Sequence, residues 1–268
     1  MSVLKAAATR TIKPLVSDQV WQRLRRIGGG PAESATPATD GPRFAEMDLT
    51  QIALHFKTDK AGTHHYTQHY ERHLQHLRGE RFTLLEIGIG GYARERQGGR
   101  SLRMWKHFFP RAQIVGLDIE DKSFVDRPRI VSYQGSQVDE EVLRRIIAEQ
   151  GTPRVIIDDG SHRPEHIRET FRILFPLLAD DGIYAIEDTQ TSYWTRFGGN
   201  PDRHATDTTM ALVKDLVDGL NHAEYPDADY VPTYDDRHVI AVHAYHNLVI
   251  IEKGRNDEPS NVIPAKRF

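Results

Sequence analysis

The chain has 268 residues, no cysteine, a net charge of −3 with His neutral, and 38% hydrophobic against 27% charged residues, which suits one soluble domain with a sizeable core plus decoration. Lack of Cys excludes a disulfide scaffold, a Cys-ligated zinc, an iron–sulfur cluster and a thiol nucleophile, and it fits a reducing compartment. The charge argues against a bulk grip on nucleic acid, no apolar run approaches a membrane span and the first thirty residues lack a signal-peptide core, so a cytoplasmic protein is expected.

Residues 1–44 stand apart as a decoration on a domain that fills 45–268. Lys5, Arg10, Lys13, Arg23, Arg25 and Arg26 face a single acid, Asp18, while Val16, Val20, Trp21, Leu24 and Ile27 fall at helical spacing. A dimer or core contact fits this helix, and so does a basic amphipathic segment at a membrane surface. Residues 28–42 are small, polar or proline and read as a flexible linker. Helices are then expected at 48–56 and 66–77, a strand at 81–88, a helix at 101–109 and strands at 113–118 and 129–133. A helix at 139–149, a strand at 154–159, a helix at 166–178, a strand at 182–187 and a helix at 209–220 follow. Strands at 238–244 and 247–252 close the chain across a tight turn. Strands separated by helices imply an α/β fold with a parallel sheet, and the closing pair implies an antiparallel edge.

Ligands of such sheets sit outside the carboxyl ends of the strands. The residues there are polar. After the first strand, Gly88, Gly90 and Ala93 satisfy a G-x-G-x-x-G/A spacing, and glycines let a backbone approach a ligand. Asp118 ends the second strand, placed to accept from a ribose diol. Together these favour an adenosine-containing ligand. Asp158, Asp159 and, beyond the next strand, Glu187 and Asp188 bring four carboxylates to one edge. Such a set repels itself unless a cation sits among it, and hard oxygen donors without Cys point to Mg²⁺, or else Mn²⁺ or Ca²⁺. His162, three residues beyond Asp159, is a general-base candidate. His162 to His166 also spells H-x-x-E-H, an inverted zincin signature. Pro164 opposes it, since proline is tolerated in a first helical turn but not an interior, so the helix should start at Pro164 with His162 outside.

The segments DKAGTHHYTQHYERHL (59–74), LLEIGIGGY (84–92), GGRSLRMWKHFFP (98–110), IVGLDI (114–119), IDDGSH (157–162) and IEDTQTSYW (186–194) resemble the S-adenosylmethionine- and metal-dependent sugar O-methyltransferases, of the mycinamicin VI and macrocin type and the mycobacterial glycan type. The resemblance covers roughly residues 50–200. It implies a class I methyltransferase sheet, Rossmann-like and mostly parallel with an antiparallel C-terminal strand, and helices on both faces. It implies Asp159, Glu187 and Asp188 as ligands of Mg²⁺ (or Mn²⁺), and His162 as the base. Glu86 and Gly88 match the methionine-side turn, Asp118 the ribose acid, and Gln137 the place where the adenine edge is read. Asp158 and Ser101 would line the cofactor pocket. The 59–66 loop looks like a lid, with Tyr66 touching the acceptor, a sugar-bearing small molecule or oligosaccharide. Enzymes of this type can carry a large N-terminal domain, whereas only a short basic segment and linker precede the domain here. A homo-oligomer is expected.

Three other readings share parts of this pattern. A catechol-type enzyme keeps cofactor and metal but methylates an aromatic diol. A nicotinamide-dependent sugar oxidoreductase explains the glycines and Asp118, but the sequence has no Tyr-x-x-x-Lys pair and hydride transfer has no need of the acids. A non-catalytic scaffold would be expected to have lost a ligand or the base.

Overall fold

The computed structural model describes residues 43–260 except Glu95 and Ala228. The N-terminal basic helix and the linker expected from sequence lie outside the described residues.

Seven strands form one sheet: β1 (Thr83–Ile87), β2 (Gln113–Asp118), β3 (Ile130–Gln134), β4 (Pro153–Asp158), β5 (Ile183–Glu187), β6 (Val239–Tyr245) and β7 (Leu248–Lys253). Their order is β3-β2-β1-β4-β5-β7-β6. β1 to β5 pair in parallel, and β7 runs antiparallel to both β5 and β6. The expected antiparallel closing pair thus forms this edge of the sheet, with β7 beside β5 and β6 outermost. Burial explains the order: Leu248 to Ile251 are all buried, so β7 needs cover on both faces and both sides, whereas β6 is half-exposed along most of its length.

Side chains along each strand alternate between two cores. On one face, Leu84, Ile114, Val155 and Ile157 meet α1 (Leu49–Phe56), α2 (Thr67–Leu74) and α3 (Arg100–Phe108) through Ile52, Tyr70, Trp105 and Phe108. On the other, Leu85, Val115, Ile156 and Tyr184 meet α4 (Glu140–Gln150), α5 (Pro164–Leu174) and α6 (Thr209–Gly219) through Leu143, Ile146, Phe171 and Leu216. The helices thus cover both faces, as expected. A short α7 (Tyr234–His238), absent from the sequence reading, leads into β6.

The helix starts follow local chemistry. Asp48 caps α1 by accepting from the Gln51 amide at 2.7 Å while the Gln51 side chain returns to the Asp48 amide at 3.0 Å, a reciprocal capping box. α5 begins at Pro164 with Arg163 as its N-cap, so His162 lies outside the helix, as Pro164 implied. Among the described residues no helix is long and apolar enough to cross a membrane.

Candidate active site

Parallel register brings the ends of β1, β2, β4 and β5 to one edge: Glu86 lies beside Gly116 and Ile157, and Asp158 beside Ile186. The turn after β1 rests on the turn after β4. The Asp159 amide donates to the Ile87 carbonyl at 2.9 Å. Gly88 has φ +76, and a Cβ there would fall 2.0 Å from the Asp159 carbonyl oxygen. Gly88 is thus required by the seam between two turns. Gly90, with φ +71, has open space where a Cβ would point, and it lines a cavity. Of the two glycines named from the sequence, Gly90 is thus the one with open space beside it. No helix opens until Arg100. The dinucleotide pattern needs its last position inside a helix start, so the formal match through Ala93 lacks the structural context of a nicotinamide site.

The cavity, about 770 Å³, lies between the 57–63 loop, the glycine turn and the start of α3; its walls include Asp59, Gly62, Gly90, Gln97, Ser101 and Asp159. That volume is in the range of small-molecule sites. Gly90, Ser101 and Asp159 are the walls that were picked from sequence. Asp118, Gln137 and Asp158 lie outside it. Asp118 accepts from the Ile89 amide at 3.1 Å and the Glu120 amide at 2.9 Å, which ties the glycine turn to the end of β2 and leaves lone pairs on both oxygens. Gln137 is buried with its amide fully engaged: it donates to Asp158 Oδ1 at 3.2 Å and Thr170 Oγ1 at 3.0 Å, and accepts from the Ser161 amide at 2.7 Å. It works here as a brace under the 158–162 turn. Asp158 is buried beneath the same turn, and loss of hydration pushes its carboxyl up to about 7.

The carboxylates surround a lysine that the sequence reading passed over. Lys60 Nζ lies 2.7 Å from Glu187 Oε1, 2.8 Å from Asp159 Oδ2 and 3.2 Å from Glu86 Oε1, with its side chain 1% exposed. Burial alone would lower its pKa, but Asp159, Glu187 and Glu86 together hold it well above the usual amine value. The Tyr70 hydroxyl donates to Glu187 Oε1 at 2.6 Å. Glu86 is fully buried, with the Lys60 ammonium 3.2 Å from its Oε1 and the Ser101 side chain beside its carboxylate. Burial raises the Glu86 carboxyl to about 7, with Lys60 opposing. Lys60 thus supplies from within the chain part of the positive charge that these carboxylates require.

A second layer lies outward. Asp159, His162 and Asp188 can each turn one donor atom to within 4.8 Å of the others. His162 Nε2 is 3.7 Å from Asp188 Oδ2. The Tyr66 hydroxyl donates to Asp188 Oδ1 at 2.7 Å, and Gln190 Nε2 donates to the same oxygen at 3.2 Å. Burial would raise Asp188, but the Tyr66 bond and the nearby His162 hold it below the usual carboxylate value. Glu187, by contrast, is pushed up by burial and by Asp159. Both His162 and Asp188 sit at positive φ, +56 and +53; such backbone is costly and clusters at functional sites. His166 Nδ1 pairs with Ser161 Oγ at 2.9 Å, so it does not join His162 as a zincin would require.

A divalent cation fits this donor set. Asp159 and Asp188 offer hard oxygens around a gap, and Glu187 stands beside them with one oxygen already on Lys60 and Tyr70. Beside His162, Phe197 lies 6.2 Å from its ring, Trp194 is 6.0 Å from Phe197, and the Arg196 guanidinium stacks on both rings.

A sheet of this order, with acids at the ends of β4 and β5 and a glycine turn after β1, defines a class I methyltransferase fold. The relatives narrow it. No family model matches the chain. It is 49% identical over 221 residues to demethylmacrocin O-methyltransferase of Streptomyces fradiae, covering 81% of this chain and 56% of that protein. It is 47% identical to mycinamicin VI 2''-O-methyltransferase of Micromonospora griseorubida, covering 79% and 54%. It is 43% identical to 8-demethyl-8-alpha-L-rhamnosyl tetracenomycin-C 2'-O-methyltransferase of Streptomyces olivaceus, covering 78% and 55%. Among solved structures, MycE methyltransferase from the mycinamycin biosynthetic pathway, in complex with Mg and SAH, superposes with a TM-score of 0.79 at 46% identity, over 82% of this chain and 58% of that one. A second crystal form matches at 39% identity and TM-score 0.78, over 91% and 72%. The chain belongs to this sugar O-methyltransferase family. It spans little more than half the length of the three relatives named by sequence.

Proposed function

We propose that the protein transfers a methyl group from S-adenosylmethionine to a hydroxyl of a sugar carried on a larger molecule. The observation that carries this reading is the layered cluster at the ends of β4 and β5, a Lys60-neutralised acid cage under an open Asp159–His162–Asp188 gap. It adjoins a cavity whose wall is the open glycine Gly90. MycE, the relative superposed above, is known with Mg and SAH, and with mycinamycin VI as well.

A divalent cation, Mg²⁺ or Mn²⁺, held by Asp159, Asp188 and the free side of Glu187 would orient neighbouring hydroxyls and lower the pKa of one. His162 takes the hydroxyl proton, with Asp188 beside its Nε2 to stabilise the imidazolium. Tyr66 and Gln190 hold Asp188 in place, so in this reading Tyr66 acts on the acceptor through Asp188. Lys60 and Tyr70 fix Glu187 and keep the inner acids from repelling the outer ones. Gly90, Ser101 and the 57–63 loop give room for the sulfonium donor, and Asp118 retains the lone pairs for a ribose diol. Alignment of oxygen, methyl and sulfur supplies the remaining acceleration. Trp194 and Phe197 offer aromatic faces to an amphipathic sugar or its aglycone. This favours a glycoside acceptor, although an aromatic diol could use the same faces.

A cytoplasmic location and a homo-oligomer belong to the same proposal. They rest on the cysteine-free composition and the apolar stripe at 16–27.

The test is calorimetric titration with S-adenosylhomocysteine and, separately, NAD(H), each with Mg²⁺ or EDTA, followed by a screen of glycoside and catechol acceptors. Binding of S-adenosylhomocysteine and Mg²⁺-dependent methylation of a glycoside is expected. Binding of NAD(H) alone would overturn the reading. Methylation of a catechol but no glycoside would move it to the aromatic class.

A further inference from the structure

We propose that His73, His243 and Glu252 form a second metal site, suited to a borderline transition ion such as Zn²⁺ and separate from the strand-end cluster. His73 comes from α2, His243 from the edge strand β6 and Glu252 from β7, and their donor atoms can all lie within 4.8 Å of one another. Glu252 Oε1 is 2.9 Å from His243 Nε2 and 3.3 Å from His73 Nδ1. Around a tetrahedral ion with bonds of ~2.0–2.1 Å, adjacent donors stand roughly 3.3 Å apart, so Glu252 Oε1 already stands near ligand spacing from both rings. The two imidazoles lie against each other with ring centroids 4.3 Å apart.

The ring that would bind through Nδ1 has an outer partner on its other nitrogen. His73 Nε2 is 2.8 Å from the Tyr245 hydroxyl, and the Tyr245 ring is itself stacked on His69 at 3.7 Å. A hydroxyl can donate to Nε2 when Nδ1 carries the proton, and accept from it when Nδ1 is bare, so Tyr245 supports either tautomer and fixes the ring plane. The His73 side chain is 9% exposed, and those of His243 and Glu252 are 35% and 36% exposed. That leaves an approach from solvent and a coordination position for water.

The site lies at the far end of β7. Glu252 pairs with Ile183 at the start of β5, whereas Leu248 pairs with Glu187 at the strand-end cluster. The two are joined through α2, because Tyr70, which holds Glu187, precedes His73 by one turn of helix. An ion at His73 would fasten α2 to the edge hairpin and firm the wall behind Glu187.

The experiment titrates the 268-residue chain with Zn²⁺ alone, by calorimetry in saturating Mg²⁺, and with Co²⁺ followed by its visible absorption. An Asp188→Asn variant disables the strand-end gap. The expected result is one equivalent of Zn²⁺ bound by both wild type and Asp188→Asn, a four- or five-coordinate Co²⁺ spectrum, and a higher melting temperature with Zn²⁺. His243→Ala should lose that equivalent, and Tyr245→Phe should bind about tenfold more weakly or worse. Should His243→Ala not fold, Glu252→Gln replaces it with the same expectation. Unchanged stoichiometry and affinity in these variants, or no Zn²⁺ taken up by Asp188→Asn, would overturn the proposal and leave a hydrogen-bonded trio only.

Discussion

Lys60 and Lys253 are both buried, at opposite ends of the sheet, and they are held in opposite ways. Lys60 meets three carboxylates at the ends of β1, β4 and β5. Lys253 meets three backbone carbonyls: Leu178 at 2.7 Å, Phe175 at 3.1 Å and Pro176 at 3.2 Å. The rings of Phe175 and Tyr234 lie 5.6 and 5.4 Å from its ammonium. Its partners are the carbonyls left over beyond α5, at the negative end of the helix dipole, so Lys253 closes a helix. Lys60 closes a charge balance. Partners in formal charge or in dipoles make the difference: the carbonyls stay put whatever arrives, whereas the carboxylates can be redistributed by a second cation. Burial of a cation alone is therefore no sign of function; the charge of what surrounds it is.

Lys60→Met should break this comparison hardest. It strands Glu86, Asp159 and Glu187 in a buried pocket without their cation, and removing one partner of a buried pair costs about 3–5 kcal/mol. Urea unfolding at neutral pH should show a loss of that order, with methyl transfer lost and S-adenosylhomocysteine binding weakened. Added Mg²⁺ should recover part of the stability, since another cation can enter the cage. No recovery and a loss under 1 kcal/mol would mean that the acids are protonated and Lys60 is incidental.

Lys253→Met should cost less, about 1–3 kcal/mol for buried carbonyls left without a donor. The loss should not respond to Mg²⁺, and turnover per folded molecule should stay as in wild type. A drop in turnover at unchanged folded fraction would erase the distinction between the two ends.

The same contrast explains what the sequence made legible. β1, β2, β4 and β5 are short apolar runs that stop at an acid or glycine, so the strands, their parallel pairing and the edge bearing Asp118, Asp159, His162, Glu187 and Asp188 could all be read in advance. Pro164 gave the start of α5 by the same kind of local rule. Lys60 could not be read. It lies in a polar loop before β1, where a lysine looks solvated, and its partners are 26, 99 and 127 residues further on. What pointed to it was the surplus of acids, which asks for a cation without saying that the chain provides one. Gln137 was legible as a position but not as a role, because only the fold shows Thr170 and the Ser161 amide occupying its amide group. Gly88 and Gly90 looked alike in sequence, and only their surroundings separate a seam from an opening. That β7 rather than β6 lies against β5 depends on which of the two needs cover on both sides. The uninterrupted buried run of β7, Leu248 to Ile251, was the available signal.

Tyr66→Phe probes the outer layer above Lys60. It removes the 2.7 Å bond to Asp188 Oδ1 and leaves the ring in place. Outer partners of metal ligands typically contribute 10–100-fold in affinity. The Mg²⁺ concentration for half-maximal activity should rise by about that factor, with activity recovered in excess Mg²⁺. A lower kcat that excess Mg²⁺ does not restore would instead place the Tyr66 hydroxyl on the acceptor.

The smallest effect is expected from the frame around Lys253. α7, which carries Tyr234 against that ammonium, starts with a capping box. Asp236 Oδ2 accepts from the Thr233 amide at 2.7 Å and the Tyr230 hydroxyl at 2.6 Å, and the Asp236 amide donates to Thr233 Oγ1 at 3.1 Å. Burial alone would raise this carboxyl, but the Tyr230 and Thr233 bonds hold it below its usual value. A carboxyl depressed in the folded state binds fewer protons there than in the unfolded chain. Its contribution is therefore complete above the unfolded value of about 3.9 and is lost as pH falls through the lower folded value. Asp236→Ala should cost about 1–2 kcal/mol at pH 7, the scale of a lost cap, and the gap to wild type should narrow only below about pH 4. It should leave turnover unchanged, because nothing at this end of the sheet depends on a charge that Mg²⁺ could replace. Urea midpoints measured from pH 7 down to 3 would show it, and a gap that closes already near pH 6 would mean that a group other than Asp236 holds α7 against Lys253.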